Sequence, residues 1–378
     1  VEGVFKALAE DRAVSGEVLD SAALADFSCL DAGDAAILER HQLLALAVVE
    51  RAWKSAGLSS ERNRLRGEAE KCRMAGFGCV SGSSIGGLVA MEREMGAENF
   101  GKFSPYSISR WRGNAIGAAA TARYGLGGMD FSLNAASATG AQILFLAGSM
   151  VASGMLDAVV AVAADVAISP ILRSAMERGG SLTRSSAGGP LRADRSGMLP
   201  AEGAACVILE SAKHVLSRGG KPLAEWLGGG CANEARHLMA PDPEAHVLEE
   251  LLAAAKIQAR VRRGDDSIID WISLHATGTP RFDAAEVACV RRVFGDQLPW
   301  ISAVKRTTGH ALAASGLLEA SLLTEGLRTG KLPTWPKNID PLFGLPENPP
   351  APEGKPSVAL QIGQGMGGTV VVNLLGSA

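Results

Sequence analysis

Three short stretches of this chain carry residue types that can make and break bonds at a carbonyl carbon. "NAASATG" (134–140) holds a polar residue, Ser137, among small residues, where an extended stretch gives way to a helix-like one. "HATGTPRFDAAE" (275–286) carries His275, then Thr277 and Thr279, then Asp283 and Glu286. "KRTTGHALAASG" (305–316) places Lys305 ahead of His310, at the start of an Ala/Gly-rich stretch. A hydroxyl needs an adjacent base to act as a nucleophile, and an imidazole can supply it. A neutral imidazole can instead donate its N–H to a developing oxyanion. Each residue also has a plainer reading on its own. A Ser ahead of a helix is commonly an N-cap, and a His at a strand end is commonly a satisfied structural group. Asp283 and Glu286 suit a helix N-terminus through its dipole, and Lys305 alone reads as a surface charge. Their joint occurrence is what points to a site.

The elements around these stretches give them positions. Each stretch lies where a strand's carboxyl end meets a helix, which is where sites form in α/β sheets and where a helix offers unpaired N–H groups. Apolar spacing predicts helices at His41–Gly57, Ser109–Tyr124, Ala138–Ser153, Pro243–Gln258, Asp283–Val293 and Gly309–Leu327. A first helix is predicted in "VEGVFKALAEDRAV". Strands are predicted in "GFGCVSG", "MDFSLNA", "DAVVAVAADV", "AACVILES", "KPLAEWLGGG", "IIDWISLHA", "WISAV", "SVALQIG" and "GTVVVNLLG". The uninterrupted apolar run of "DAVVAVAADV" suits a strand buried on both faces. Alternating strands and helices argue for a layered α/β architecture with mostly parallel sheets. The two halves end alike, which suggests a duplicated unit split near Ser211–Lys221.

Composition sets the outer limits. The 378 residues suit two domains or one large duplicated one, and 45 Gly with 47% hydrophobic residues suit a large, closely packed core. A net charge of -3 gives no sign of a global nucleic-acid binder. No apolar run reaches the ~18 residues needed to span a bilayer, and no membrane partner is expected. The six Cys are scattered without a CxxC pair. Neither a disulfide framework nor a metal site is expected, and a reducing cytoplasm is the natural setting.

The ordered set of motifs resembles the β-ketoacyl-acyl-carrier-protein synthases, the elongating condensing enzymes of the thiolase fold. The 275–286 stretch is similar to that family's H-[GA]-T-x-T-x-x-x-D-x-x-E, and 305–316 to its K-S-x-T-G-H-x-x-x-A-[AS]-G. "GPLRADRSGMLPAEGAACVILE" (189–210), "APDPE" (240–244) and "GQGMGGT" (363–369) match further segments in the same order. The resemblance implies a five-layered αβαβα fold of two duplicated halves, 1–215 with the nucleophile position and 216–378 with both histidines. It starts late, because the family's first strand and Gly-rich turn do not precede "VEGVFKALAEDRA". The expectation is that sequence is missing ahead of Val1.

The resemblance also implies roles. His275 and His310 would hold the enolate of a malonyl thioester, and Lys305 would pair with Glu286. Thr277 and Thr279 would bond the amides of a phosphopantetheine arm. The backbone N–H groups of Ser137 and Met366 would form an oxyanion hole, with Gly367 beside it. Asp283 and Glu202 would be structural residues near the site. The protein would bind no cofactor of its own. It would meet its substrate on an acyl carrier protein, docked at basic clusters 61–73 or 260–263. It would dimerise through "MDFSLNA" with itself or with a second ketosynthase-like chain.

Two segments depart from the family pattern. Ser137 stands where the family's nucleophile is Cys, and Met366 and Gln364 stand where its terminal loop has Phe. A helix N-terminus can bring a thiol toward thiolate, but a serine hydroxyl is far too weakly acidic for that. Four readings follow. The chain is a nucleophile-inactivated, Cys-to-Ser form of a condensing enzyme for fatty-acid or type II polyketide synthesis. Or the Ser is natural, and the protein is an acyltransferase or a malonyl-carrier decarboxylase. Or it is a non-catalytic partner resembling a chain-length subunit. Or Ser137 is only an N-cap in a binding protein.

Overall fold

The computed structural model describes residues 30, 32–58, 74–96, 101–166, 168–184, 189–264 and 268–378. The helix expected near the amino terminus and the basic cluster at 61–73 lie outside the described residues.

Two sheets organise the chain. The first has the order β2-β1-β3-β4, from β1 (Phe77–Gly82), β2 (Asp130–Leu133), β3 (Ala158–Asp165) and β4 (Gly203–Glu210). Its β1 runs parallel to β2 and β3, and β4 is antiparallel to β3. The second has the order β5-β9-β8-β6-β7, from β5 (Ala224–Asn233), β6 (Trp271–Ser273), β7 (Trp300–Ser302), β8 (Val358–Gln364) and β9 (Thr369–Ser377). There β6 is parallel to β7 and β8, and β9 is antiparallel to β8 and β5. The run β2-β1-β3-β4 therefore repeats as β7-β6-β8-β9. Among the described residues, β5 has no counterpart beside β4. The first sheet is mostly parallel, as expected, while the second divides evenly between parallel and antiparallel pairings.

Six helices fill the layers around the sheets: α1 (Arg40–Ser55), α2 (Ala115–Tyr124), α3 (Thr139–Ala152), α4 (His246–Arg263), α5 (Pro280–Phe294) and α6 (Ala313–Thr329). The side-chain alternation of β3 shows how. Val160 and Val162 pack with Leu44, Trp53 and Ile116 of α1 and α2. Val159, Ala161 and Ala163 pack on the opposite face with Ile143 and Leu144 of α3 and Leu317 of α6. A strand apolar on every residue is what two covered faces require. In the second sheet, Val358, Leu360 and Ile362 of β8 meet Leu248 and Leu252 of α4 and Val290 of α5. Ala359 faces Leu323 and Leu327 of α6. The layers are thus α1/α2, sheet, α3/α6, sheet, α4/α5: the five-layered thiolase-type arrangement.

The two central helices meet at glycines. A Cβ on Gly140 would collide with the Ala313 carbonyl oxygen, and one on Gly316 with the Ala141 nitrogen. This close approach brings the amino ends of α3 and α6 together, and with them the stretches holding Ser137 and His310. Two expected helices differ in extent. Ser109–Tyr124 is broken, with a short helix at Ser107–Trp111 before α2. The helix expected from Gly309 begins at Ala313, because Leu312 has φ 46° and interrupts the path from His310.

Candidate active site

Ser137 occupies the turn from β2 into α3. Its neighbour Ala136 has φ 49°, a left-handed conformation that a residue with a Cβ rarely adopts. Surrounding bonds hold it there. Ala136 N–H donates to Asn134 Oδ1 (3.1 Å), while its carbonyl accepts from Thr139 Oγ1 (2.6 Å) and Ser84 Oγ (2.8 Å). Such strain persists only where the surroundings over-determine it, and it concentrates at functional sites. The outcome is a half-buried Ser137 whose Oγ lies 2.8 Å from His310 Nε2. Ser137 is not the cap of α3. That position is Ala138, which makes no side-chain capping bond.

His310 is held from both sides. Its N–H donates to the Leu199 carbonyl (2.7 Å), and its own carbonyl accepts from Ala201 N–H (2.9 Å). Its Nδ1 stands 3.1 Å from Ser315 Oγ on the first turn of α6. The amino end of α6 is closed by Asp165, the last residue of β3, whose Oδ2 accepts from Ala313 N–H (2.8 Å). Asp165 also accepts from Ser83 Oγ and from the Ser84 and Ile85 N–H groups. One buried carboxylate therefore fixes both the His310 helix and the Ser84 loop that braces the Ser137 turn.

His275 follows β6, and its ring meets that of His310 edge-on, with centroids 5.9 Å apart. Its N–H and that of Ala276 donate to the two Glu286 oxygens at 2.6 and 2.8 Å. Its carbonyl accepts from Lys305 Nζ at 2.7 Å. Ala276, like Ala136, has positive φ, at 33°. Among the described residues no protein hydrogen bond holds the His275 ring nitrogens, so they remain open to a ligand.

Lys305 corrects one expectation. Its ammonium is bonded to Glu319 of α6, with both side chains almost fully buried, rather than paired with Glu286. Glu286 spends both oxygens on the backbone of the His275 turn, which makes it a positioning group. Burial pushes its carboxyl up to about 8, against the two N–H donors that favour the carboxylate. Two backbone N–H groups aimed at separate oxygens serve a carboxylate better than an acid. Burial and the Lys305 charge hold His310 well below its ordinary value, and the same causes plus His310 act on His275. Both imidazoles are therefore neutral near pH 7.

The remaining expected residues fall around this centre. Thr277 and Thr279 hydrogen-bond to each other at 2.8 Å. Asp283 is buried and accepts from the Leu191 and Gly278 N–H groups; burial raises it to about 6. Glu202 takes a two-pronged bond from Arg40 on α1. Met366 is half-buried, and Gly367 is exposed in the turn from β8 to β9. That turn lies against the Ser137 turn, since a Cβ on Gly365 would collide with the Ala135 carbonyl. A cavity of about 490 Å3 opens beside the turn, lined in part by Ser84, Ile85, Leu88, Trp111, Leu133 and Asn134. Of the basic cluster at 260–263, Arg263 bonds Glu225 and the Ser377 carbonyl, as a helix end does. Among the described residues no group of His, Cys, Asp or Glu is arranged to hold a metal ion, and no helix is long and apolar enough to cross a membrane.

Sequence reasoning did not single out Asp165, Ser315 or Glu319. Each carried a signal: an acid ending an all-apolar strand, and two polar residues within the small and apolar first half of a helix, "AASGLLEA".

Comparison with known proteins agrees with the fold. Residues 7–214 match the family described as "Beta-ketoacyl synthase, N-terminal domain", and residues 223–337 match its C-terminal domain. The chain is 30% identical to 3-oxoacyl-[acyl-carrier-protein] synthase 1 of Haemophilus influenzae over 65% of its length, and that match spans 59% of the relative. It is 29% identical to Nodulation protein E of Rhizobium meliloti, covering 89% of this chain and 82% of the relative. Among solved structures, the ishigamide ketosynthase/chain length factor superposes with a TM-score of 0.78 at 22% identity, covering 100% of this chain and 95% of the other.

Proposed function

The chain belongs to the β-ketoacyl synthase family of condensing enzymes, and on that premise we propose that its site decarboxylates carrier-bound malonyl thioesters and joins the product to an acyl group. Ser137 is the acyl-accepting position. One observation carries this reading: two buried, neutral imidazoles meet beside the Ser137 hydroxyl, with His310 Nε2 2.8 Å from Ser137 Oγ. Neutral rings can donate N–H to the thioester oxygen as the bond to CO2 breaks and its electron pair forms the enolate. Burial, and after it the Lys305 charge beside them, keeps the rings neutral.

The enolate carbon then attacks the acyl carbonyl, and the bond to Ser137 oxygen breaks. That oxygen must take a proton to leave, where a thiolate would leave without one. An ester is also a poorer electrophile than a thioester. The decarboxylating half of the reaction is therefore the one this site is best equipped to perform. Thr277 and Thr279 would receive the phosphopantetheine arm of an acyl carrier protein, and the cavity beside Ser84 would take the acyl chain. Met366 and Gly367 would line the acyl carbonyl's side.

The test is CO2 release and acetyl-carrier formation from malonyl thioester on a phosphopantetheinylated carrier protein. Release above background supports the proposal. No release, alone or with a ketosynthase-like partner chain, overturns it.

A dimer is favoured by a specific feature. β2 is the outer strand of its sheet; Phe131 on it is 42% exposed, and Met129 just ahead of it is 46% exposed. Apolar side chains on an open strand edge suit pairing with another chain. The partner is a second copy or a second ketosynthase-like chain, as the name of the ishigamide pair describes for that protein. A non-catalytic partner would have no chemical reason to keep two neutral histidines over a buried ion pair, which counts against the purely structural reading.

A further inference from the structure

Ser315 is 2% exposed, and its Oγ lies 3.1 Å from His310 Nδ1. Among the described residues its hydroxyl makes no other hydrogen bond. Two other serines within long helices return their hydroxyl to the carbonyl four residues back, Ser149 to Phe145 (2.8 Å) and Ser321, on the same helix as Ser315, to Leu317 (2.9 Å). Ser315 turns to the ring instead.

A hydroxyl has one hydrogen, and a neutral imidazole has one N–H and one lone pair. Two arrangements fit the distance. In one, Nδ1–H donates to Ser315, and the hydroxyl hydrogen is left in a dry interior without an acceptor. In the other, Ser315 donates to the Nδ1 lone pair, and the imidazole proton sits on Nε2. Only the second leaves no buried donor unmet, and an unmet donor is the expensive outcome. We propose that Ser315 is a positioning residue that fixes His310 as its Nε2–H tautomer.

The consequence lies at Ser137. The Nε2–H then points at Ser137 Oγ across 2.8 Å, so the resting imidazole is a donor and not a base. It is set to hold an enolate oxygen or to return a proton to a departing serine oxygen. It is not set to take the proton from Ser137. Acylation of Ser137 has to pass through the disfavoured tautomer. This consequence rests on the function proposed above; the tautomer itself does not.

The test uses the full-length protein labelled with 15N-histidine. Nitrogen chemical shifts distinguish the two tautomers, and His310→Gln identifies the resonances. The expected result is Nε2–H in the unmodified protein, a bias reduced about 10-fold in Ser315→Ala, the scale of one neutral hydrogen bond, and recovery in Ser315→Thr. Nδ1–H in the unmodified protein, or an unchanged tautomer in Ser315→Ala, overturns the proposal. A second readout is the split between half-reactions. Ser315→Ala should lower CO2 release about 10-fold while Ser137 acylation, read by intact mass, holds or rises. Equal loss of both would mark Ser315 as merely structural and overturn its positioning role. Absence of CO2 release from every form would refute the decarboxylation reading, and the nitrogen shifts would still decide the tautomer.

Discussion

Ser137 Oγ and His310 Nε2 stand 2.8 Å apart although 173 residues separate them in the chain. The approach depends on backbone strain at both ends. Ala136 before the serine, Ala276 after His275 and Leu312 after His310 all hold positive φ. A glycine contact between the central helices closes the remaining distance. The pair is therefore built by the whole fold and tolerates little change in side-chain size.

Exchange of one atom at this pair should have a large effect. With Ser137→Cys, condensation should rise at least about 100-fold, because a thiol reaches its anion where a hydroxyl does not and leaves more readily. The measurement is β-ketoacyl product from acyl-carrier and malonyl-carrier. Equal rates for the two forms would show that serine is a competent nucleophile here.

The histidines should matter most for decarboxylation. His275→Ala and His310→Ala should each lower CO2 release about 10²–10³-fold, the scale for loss of one oxyanion donor. Loss of less than about threefold in both would remove them from the enolate's surroundings.

The acid side of the pH profile should report how the rings are buried. Folded-state values lie well below 6.5 for both histidines, from burial and from Lys305. The neutral, donating form then survives as pH drops through 6.5. CO2 release should stay level from pH 7.5 to 6 where an exposed histidine would already titrate. Stability should move the other way. An unfolded chain takes up protons at about 6.5 that the folded rings refuse, so stability is full above that pH and is lost as pH falls below it. Denaturation midpoints in His310→Gln should fall less steeply between pH 7 and 5 than those of the unmodified protein. Parallel slopes would place the proton uptake elsewhere.

Much of this site was legible in sequence because its residues sit at strand ends that announce themselves. "HATGTPRFDAAE" and "KRTTGHALAASG" are dense in chemistry-bearing side chains at element boundaries. The partner of Lys305 was not legible. Glu286 and Glu319 are both acids within reach by sequence order, and only the packing of α6 against β8 decides between them. The break before α6 was hidden for a related reason. "GHALAASG" has strong helical composition, and the tertiary bond from Ala313 N–H to Asp165 overrides it. Cross-sheet contacts of this kind leave no local periodicity to read.

Gln364 offers a stability test close by. It is 2% exposed, and its Nε2 is buried without a partner among the described residues. An unmet buried amide donor costs about 1–3 kcal/mol. Gln364→Leu should therefore stabilise the protein by about 1 kcal/mol in chemical denaturation. A loss of stability would show that the amide has a partner in solution.

The Lys305–Glu319 pair permits the sharpest structural prediction. Both side chains are almost fully buried, at 2% and 1% exposure, and Lys305 also holds the His275 carbonyl. Removal of one member of such a pair strands a charge and costs about 3–5 kcal/mol. Glu319→Ala should lose that much stability. Lys305→Met with Glu319→Leu should recover most of it, since matched apolar groups leave no stranded charge. Activity should not follow stability. The double variant removes the positive charge that depresses both histidines, so its CO2 release should gain an acid limb at higher pH than in the unmodified protein. The two measurements are denaturant midpoints and the pH dependence of CO2 release on the unmodified protein, Glu319→Ala and the double variant. A double variant that recovers stability and keeps the original pH profile would show that burial alone holds the histidines neutral, and would reduce Lys305 to a structural partner of Glu319.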